Sequence, residues 1–169
     1  METSNSKSIA TVTHLSTLSQ YFIPFGNFIF PIVIWSTAKK NSEFVDANGR
    51  EAINFQLSVF LYSLILALIA IPILIFTIFK NVPFEAMIRD ENIIFSDFNP
   101  ANITGIAIVA ILAVLIFFLL KVAEFFLVIY ASVKAANGET YHYPLSIPFI
   151  KATSVSIKEE PITEVSAEV

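Results

Sequence analysis

Two charged side chains, Lys121 and Glu124, interrupt an otherwise apolar stretch of this 169-residue sequence. Three residues apart on a helix, they share a face and can neutralise each other. A charge near the bilayer centre costs about 2.5–3.5 kcal/mol on insertion scales, so such residues commonly mark an ion path or a partner contact. The alternative is a helix longer than the bilayer, with the pair at its boundary. The helical length after Leu120 favours the boundary, and both interpretations stay open.

The other titratable candidates lie beside the predicted membrane segments. His14 begins an uncharged stretch and His142 lies between two tyrosines, positions typical of hydrogen-bonding and anchoring residues at the membrane edge. Asp46, Glu51 and His142 are expected on the same face, but their spacing matches no metal motif such as H-E-x-x-H. The sequence also has no nucleophile-elbow or Walker motif. We therefore expect no enzyme, no catalytic residues, no metal and no cofactor.

The composition of the chain explains why these few polar residues stand out. Hydrophobic residues make up 56% and charged residues 14%, against about 25% charged in an average soluble domain. A soluble domain of this size cannot bury so much apolar surface. Ten scattered lysines and arginines form no basic patch for nucleic acid, and the absence of cysteine excludes disulfides. The chain is predicted to be an integral membrane protein.

Three apolar units predict an all-α polytopic fold with three main transmembrane helices. The units cover residues 15–37, 52–79 and 103–135, each long enough for a bilayer core of about 30 Å. Pro24, Gly26 and Pro31 predict that the first unit is kinked or split. The sequence leaves open whether this unit crosses once or re-enters on the same side. Pro72 predicts a kink in the second unit.

Charge and composition outside the apolar units predict domains and orientation. We expect a flexible tail over residues 1–12, a helical membrane domain over 13–150 and a disordered acidic tail over 151–169, with a surface helix in the 80–104 loop. With three spans, one side carries three Lys and Arg residues and the other six. The positive-inside rule then predicts a multi-pass protein of the cytoplasmic membrane with a cytoplasmic C-terminus.

Several blocks of the sequence resemble a known family. They lie at residues 14–16, 23–27, 44–56, 134–139 and 141–145. In order and spacing they are similar to a family of small bacterial membrane proteins of unknown function, distantly grouped with the chloroplast inner-envelope protein-import component. The resemblance implies a few membrane helices and no catalytic residues. The family signature falls at the predicted cytoplasmic edge, on Asp46, Asn48, Gly49, Arg50, Glu51, Asn54, Gln56, Asn137, Gly138, Tyr143 and Pro144.

Two functions follow as expectations. The first is a non-enzymatic interaction or accessory subunit of a membrane complex that works by helix packing, favoured by small residues at Ser63, Ala67 and Ala70. The second is an oligomeric translocation or transport component, as the chloroplast relative implies and as interrupted membrane helices allow. Expected partners are the lipid bilayer and a membrane protein or further copies of the chain, with no nucleic acid.

Overall fold

The computed structural model describes residues 2–81 and 105–152, with side chains for 2–76 and 108–152. These residues form four α-helices and one 3-10 helix, and no strand occurs among them. The surface helix predicted in the 80–104 loop and the predicted acidic tail lie almost entirely outside the described residues. The helices are α1 (Ser4–Ser16), α2 (Gly26–Ala38), α3 (Glu43–Asn81) and α4 (Gly105–Asn137), and the 3-10 helix is Thr17–Tyr21.

Two helices, α3 and α4, are long and apolar enough to cross a membrane. They contain 39 and 33 residues, which correspond to about 58 and 50 Å of helix. They pack side by side, and their small residues meet where Ala67 and Ala70 of α3 line a small cavity with Ala113 of α4. α3 continues through Pro72. The fold therefore has two candidate spans where the sequence predicted three.

The first apolar unit forms a hairpin, not a single span. The chain turns back between Tyr21 and Gly26, where Phe25 adopts a left-handed conformation with φ of 60°. Pro24 and Gly26 lie in this turn, and Pro31 lies within α2. α2 has 13 residues, or about 20 Å, which is shorter than a bilayer core. We refer to α1, the 3-10 helix and α2 as the hairpin.

The hairpin begins earlier than the predicted membrane domain. Residues 4–12, expected to be a flexible tail, belong to α1, whose N-terminus is capped by the Thr3 hydroxyl accepting from the Ser6 amide. Ala10 is fully buried in an apolar cluster with Phe44 of α3 and Ala135 of α4. Tertiary packing on small residues therefore orders a segment whose Ser-rich composition gives little apolar signal.

The described chain has two halves that differ in the number of helices packed side by side. The broad half contains the hairpin, residues 43–62 of α3, residues 121–137 of α4 and the segment 138–152. The narrow half contains the rest of α3 and α4. A cluster of Phe55, Val59, Val128 and Ala131 with Tyr143 forms the apolar core of the broad half. The polar site lies around this core.

Candidate functional site

Polar side chains are buried together inside the broad half. They come from the hairpin, from α3 and from α4, so the fold brings together residues far apart in sequence. The buried members are Thr13, His14, Thr17, Asn27, Asn48, Asn54, Gln56, Ser58, Glu124 and Ser132. Buried polar groups are costly unless they are hydrogen-bonded, so their partners describe the site.

His14 connects three parts of the chain. Its Nε2 lies 3.0 Å from Asn48 Oδ1, and its Nδ1 lies 3.0 Å from the Tyr143 hydroxyl. Asn48 Nδ2 donates to the Phe44 carbonyl, which orients Asn48 Oδ1 toward the imidazole. His14 Nε2 must then donate, so in neutral His14 the Nδ1 accepts from Tyr143. The Tyr143 ring also stacks on Phe55, with centroids 4.0 Å apart.

Burial sets the protonation of this contact. The pKa of His14 is lowered, chiefly because burial penalises the imidazolium; the bond to Asn48 and the Glu51 carboxylate oppose this. The pKa of Tyr143 is raised well above its usual value, first by burial and then by Tyr141, Glu51 and Glu124. Both rings are therefore neutral near pH 7, which matches the hydrogen-bond directions.

Lys121 and Glu124 form a closed cluster with Gln20 of the 3-10 helix. The Glu124 side chain is fully buried, accepting from Lys121 Nζ at 2.8 Å and from Gln20 Nε2 at 2.7 Å. Lys121 Nζ also donates to Gln20 Oε1 at 3.2 Å. Gln20 thus bridges both charged groups. The pair lies against the hairpin, about 20 Å along α4 from its C-terminal end.

A buried pair of amide side chains joins α2 to α3. Asn27 of α2 donates to Gln56 Oε1 of α3 at 2.8 Å. Gln56 is fully buried, and its Nε2 has no partner among the described residues. One bond across the α2–α3 contact therefore satisfies only half of the Gln56 amide. Phe28 packs edge-on against Phe60 one turn further along α3.

The outer end of the α2–α3 contact is built on Trp35. Its indole N–H donates to Asp46 at 2.9 Å, and Asp46 also pairs with Arg50 one turn further along α3. Gly49 lies directly against the Trp35 ring, so that a Cβ at this position would overlap the ring atoms. The helices meet here because residue 49 has no side chain.

Polar residues of α3 hold the segment that follows α4. Gly138 follows the last residue of α4 with φ of 87°, the left-handed conformation that glycine commonly adopts at the end of a helix. Further on, Asn54 makes two bonds to the backbone of Ile150, at 2.8 and 3.0 Å, and Ser58 accepts from the Ile147 amide. Tyr62 donates to the Leu145 carbonyl. These α3 residues, each four apart, provide hydrogen-bond partners for backbone groups of a segment without regular secondary structure.

The charged edge brings together part of the predicted acidic and histidine set. His142 Nδ1 lies 2.8 Å from Glu51 Oε1, whereas Asp46 pairs with Trp35 and Arg50 instead. The described ranges contain no cluster of three or more groups able to hold a metal ion. Asn137 ends α4 and its carbonyl accepts from Lys7, and Pro144 is exposed beyond Tyr143.

Sequence reasoning placed many of these residues without their partners. Asn48, Asn54, Gln56 and Tyr143 belong to the family signature predicted at the cytoplasmic edge, and their side chains are buried in the broad half. Gln20, Asn27 and Tyr62 were missed altogether. Their signal was available, because an amide inside an uncharged apolar stretch requires a buried partner. The partner itself depends on the hairpin, which the sequence left open.

Comparison with known proteins adds one finding. Residues 5–150 match the magnetosome magnetite crystal formation protein family. No curated protein and no solved structure matches. The match agrees with the resemblance to small membrane proteins and covers most of the chain. Nothing in it supports the distant relationship to chloroplast protein import.

Proposed function

The chain belongs to the magnetosome magnetite crystal formation protein family, and from this membership we propose that it is a non-enzymatic accessory protein of a crystal-forming membrane. It crosses that membrane twice, through α3 and α4. The observation that carries the proposal is which parts of the chain the polar side chains of the site connect. Most family-signature side chains contact the hairpin or the segment 138–152, so they serve the shape of the broad half.

The charge distribution supports one orientation. With a re-entrant hairpin, Lys7, Lys39, Lys40 and Arg50 lie on the side of the broad half, together with the lysines at 134, 151 and 158. Lys80 lies in the last turn of α3, at its other end, and Arg89 comes after α3 in the sequence. Seven positive residues against two is a stronger bias than a three-span arrangement gives. By the positive-inside rule, the broad half and both termini face the cytoplasm in a bacterial inner membrane.

The accessory role implies a membrane partner or further copies of the chain. Large apolar side chains cover the outside of α4, among them Phe118 and Phe126, and van der Waals packing is one of the forces that join helices in lipid. Crosslinking in native membranes should recover a defined larger species at native expression. Recovery of the monomer alone at every expression level would contradict the accessory role.

Translocation is the second candidate. The narrow half argues against a path through one copy, because its described side chains from Leu64 to Phe76 and from Ile108 to Leu120 are all apolar. Transport would need several copies around a shared polar path, with Lys121 and Glu124 facing it. In the broad half these two residues bind Gln20 instead, which favours the accessory role.

Complementation tests the proposed function directly. The gene is expressed in a magnetite-forming bacterium that lacks its own family member, and crystal size is measured by electron microscopy. We expect the wild-type chain to restore crystal size. The variant Glu51→Gln with His142→Gln should restore it equally, because it removes the acid–base pair at the exposed edge while leaving the buried contacts intact.

Complementation by the wild-type chain and by the double variant tests two different parts of the proposal. Failure of the wild-type chain, when it is present in the membrane at normal level, would contradict a role in crystal formation. Success of the wild type with failure of a folded, membrane-inserted double variant would contradict the non-enzymatic role and indicate acid–base chemistry at Glu51 and His142.

A further inference from the structure

The two halves of the described chain differ in cross-section. At the level of Phe60, the broad half has α2, the 3-10 helix, α3 and α4 side by side, whereas beyond Ser63 only α3 and α4 continue. Each helix occupies a width of about 10 Å. Among the described residues, one end of the membrane domain is therefore about twice as wide as the other.

The additional helices present an apolar outer surface. No charged residue occurs from Leu15 to Ala38. At the turn of the hairpin, Phe22 is 88% exposed and Phe25 66% exposed, and Ile29 and Val33 of α2 are also exposed. A surface this apolar is unfavourable in water. Its place is among lipid chains.

The length of the hairpin confines it to one leaflet. α2, about 20 Å long, starts beside Phe60 and ends near Trp35, Lys39 and Lys40, where an aromatic residue and lysines mark a membrane interface. α1, which has 13 residues like α2, runs in the opposite direction and leads into the 3-10 helix. The hairpin therefore enters from the side of the broad half and returns to it.

The segment 138–152 adds to the same leaflet. It reaches Tyr62 through the Leu145 carbonyl and returns to Asn54 through Ile150. Leu145 is 77% exposed at the deepest point of this excursion, and Phe149 is half-exposed. The turn of the hairpin and the segment 138–152 thus both place exposed apolar side chains at a similar depth, as expected if they lie in the same leaflet.

We propose that the protein is a membrane wedge, which means that its broad half occupies more of one leaflet than its narrow half occupies of the other. As a further activity, it accumulates in membranes that are convex on the side of the broad half, and it stabilises that curvature. The occupant of the apolar hairpin surface is the lipid of that leaflet. Extra volume in one leaflet relaxes packing strain where that leaflet is stretched, so the two curvatures differ in binding free energy. This inference rests on the proposed insertion through α3 and α4, and it specifies what the broad half does there.

Vesicle sorting tests the wedge. The full chain, labelled through Ser4→Cys because it has no cysteine of its own, is reconstituted into small and large vesicles of one lipid composition. An external quencher identifies molecules whose broad half faces outward. For these molecules we expect at least about twofold higher density per membrane area in small vesicles, because the density ratio follows the difference in binding free energy between the two curvatures. Molecules facing inward should show the opposite preference.

A matched pair of variants isolates the hairpin. Phe22→Asp should draw the turn out of the leaflet and remove the preference for small vesicles, whereas Phe22→Leu should retain it. Phe22 makes few packing contacts, so circular dichroism should show unchanged helix content in both variants. Sorting that is unaffected by Phe22→Asp would overturn the assignment of the wedge to the hairpin.

The remaining outcomes are distinguishable. Equal densities in small and large vesicles for a stably inserted protein would overturn the wedge and leave the proposed function intact. Protein that is extracted by alkaline carbonate would contradict both. Crosslinking of two copies through cysteines at Ile29, with no sorting, would show that a second copy and not lipid covers the hairpin.

Discussion

His14 shows at the scale of one residue how a polar core can specify a fold. Its imidazole satisfies Asn48 of α3 and Tyr143 of the C-terminal segment simultaneously. A glutamine amide can reproduce both bonds, because its NH₂ group can donate to Asn48 while its carbonyl oxygen accepts from Tyr143. Leucine can reproduce neither, and leaves two buried polar groups unpaired.

The first prediction uses this difference. His14→Leu should lower the free energy of unfolding in detergent by about 1–3 kcal/mol for each group left unpaired, whereas His14→Gln should lower it much less. Thermal unfolding followed by circular dichroism measures both. Equal losses in the two variants would show that ring packing, and not the hydrogen bonds, holds the contact.

The second prediction concerns pH. Because burial lowers the pKa of His14 in the folded state, the unfolded state binds more protons below its own pKa of about 6.5. Stability should be constant above this pH and fall as the pH drops below it, by at most about 1.4 kcal/mol per unit from this group. His14→Gln should remove that component. A wild-type profile without this fall would contradict a buried neutral His14.

The third prediction tests the Lys121–Glu124–Gln20 cluster. Lys121→Met leaves the buried Glu124 carboxylate without its cation and should lower the free energy of unfolding by up to about 3 kcal/mol. Adding Glu124→Gln removes the charge and should restore most of the loss, since the new amide still accepts from Gln20. A double variant as unstable as the single one would contradict a structural ion pair.

At the scale of elements, the hairpin separates what the sequence specifies from what it leaves open. The break near Pro24 and Gly26 and the end of α4 at Gly138 follow from local backbone preferences. The direction after the break does not, because an uncharged stretch suits both crossing and returning. Asn27 binding Gln56 and Gly49 contacting Trp35 fix the return, and such long-range contacts are not readable from one segment.

The fourth prediction tests the α2–α3 contact. Gly49→Ala places a Cβ against the Trp35 ring and should lower the free energy of unfolding by about 1–3 kcal/mol. Alone, Trp35→Leu loses the bond to Asp46. The double variant should lose less stability than the sum of the two single losses, because the smaller leucine side chain leaves room for the methyl group added at position 49. Strict additivity in this double-mutant cycle would contradict the close approach.

At the scale of the whole molecule, the central claim is the topology. In the proposed topology, the broad half occupies one leaflet, both termini and the connector between α2 and α3 lie on that side of the membrane, and the loop between α3 and α4 lies on the other side. The proposed function and the wedge both require this arrangement. A three-span chain would instead put the N-terminus beside the 80–104 loop.

Labelling of single cysteines decides between the two topologies. Ser4→Cys, Lys40→Cys and Asp90→Cys are introduced separately into the cysteine-free chain, and spheroplasts are treated with a membrane-impermeant maleimide before and after permeabilisation. The re-entrant topology predicts that position 90 reacts in intact spheroplasts, and positions 4 and 40 only after permeabilisation. Reaction of position 4 together with position 90 in intact spheroplasts would contradict the re-entrant hairpin.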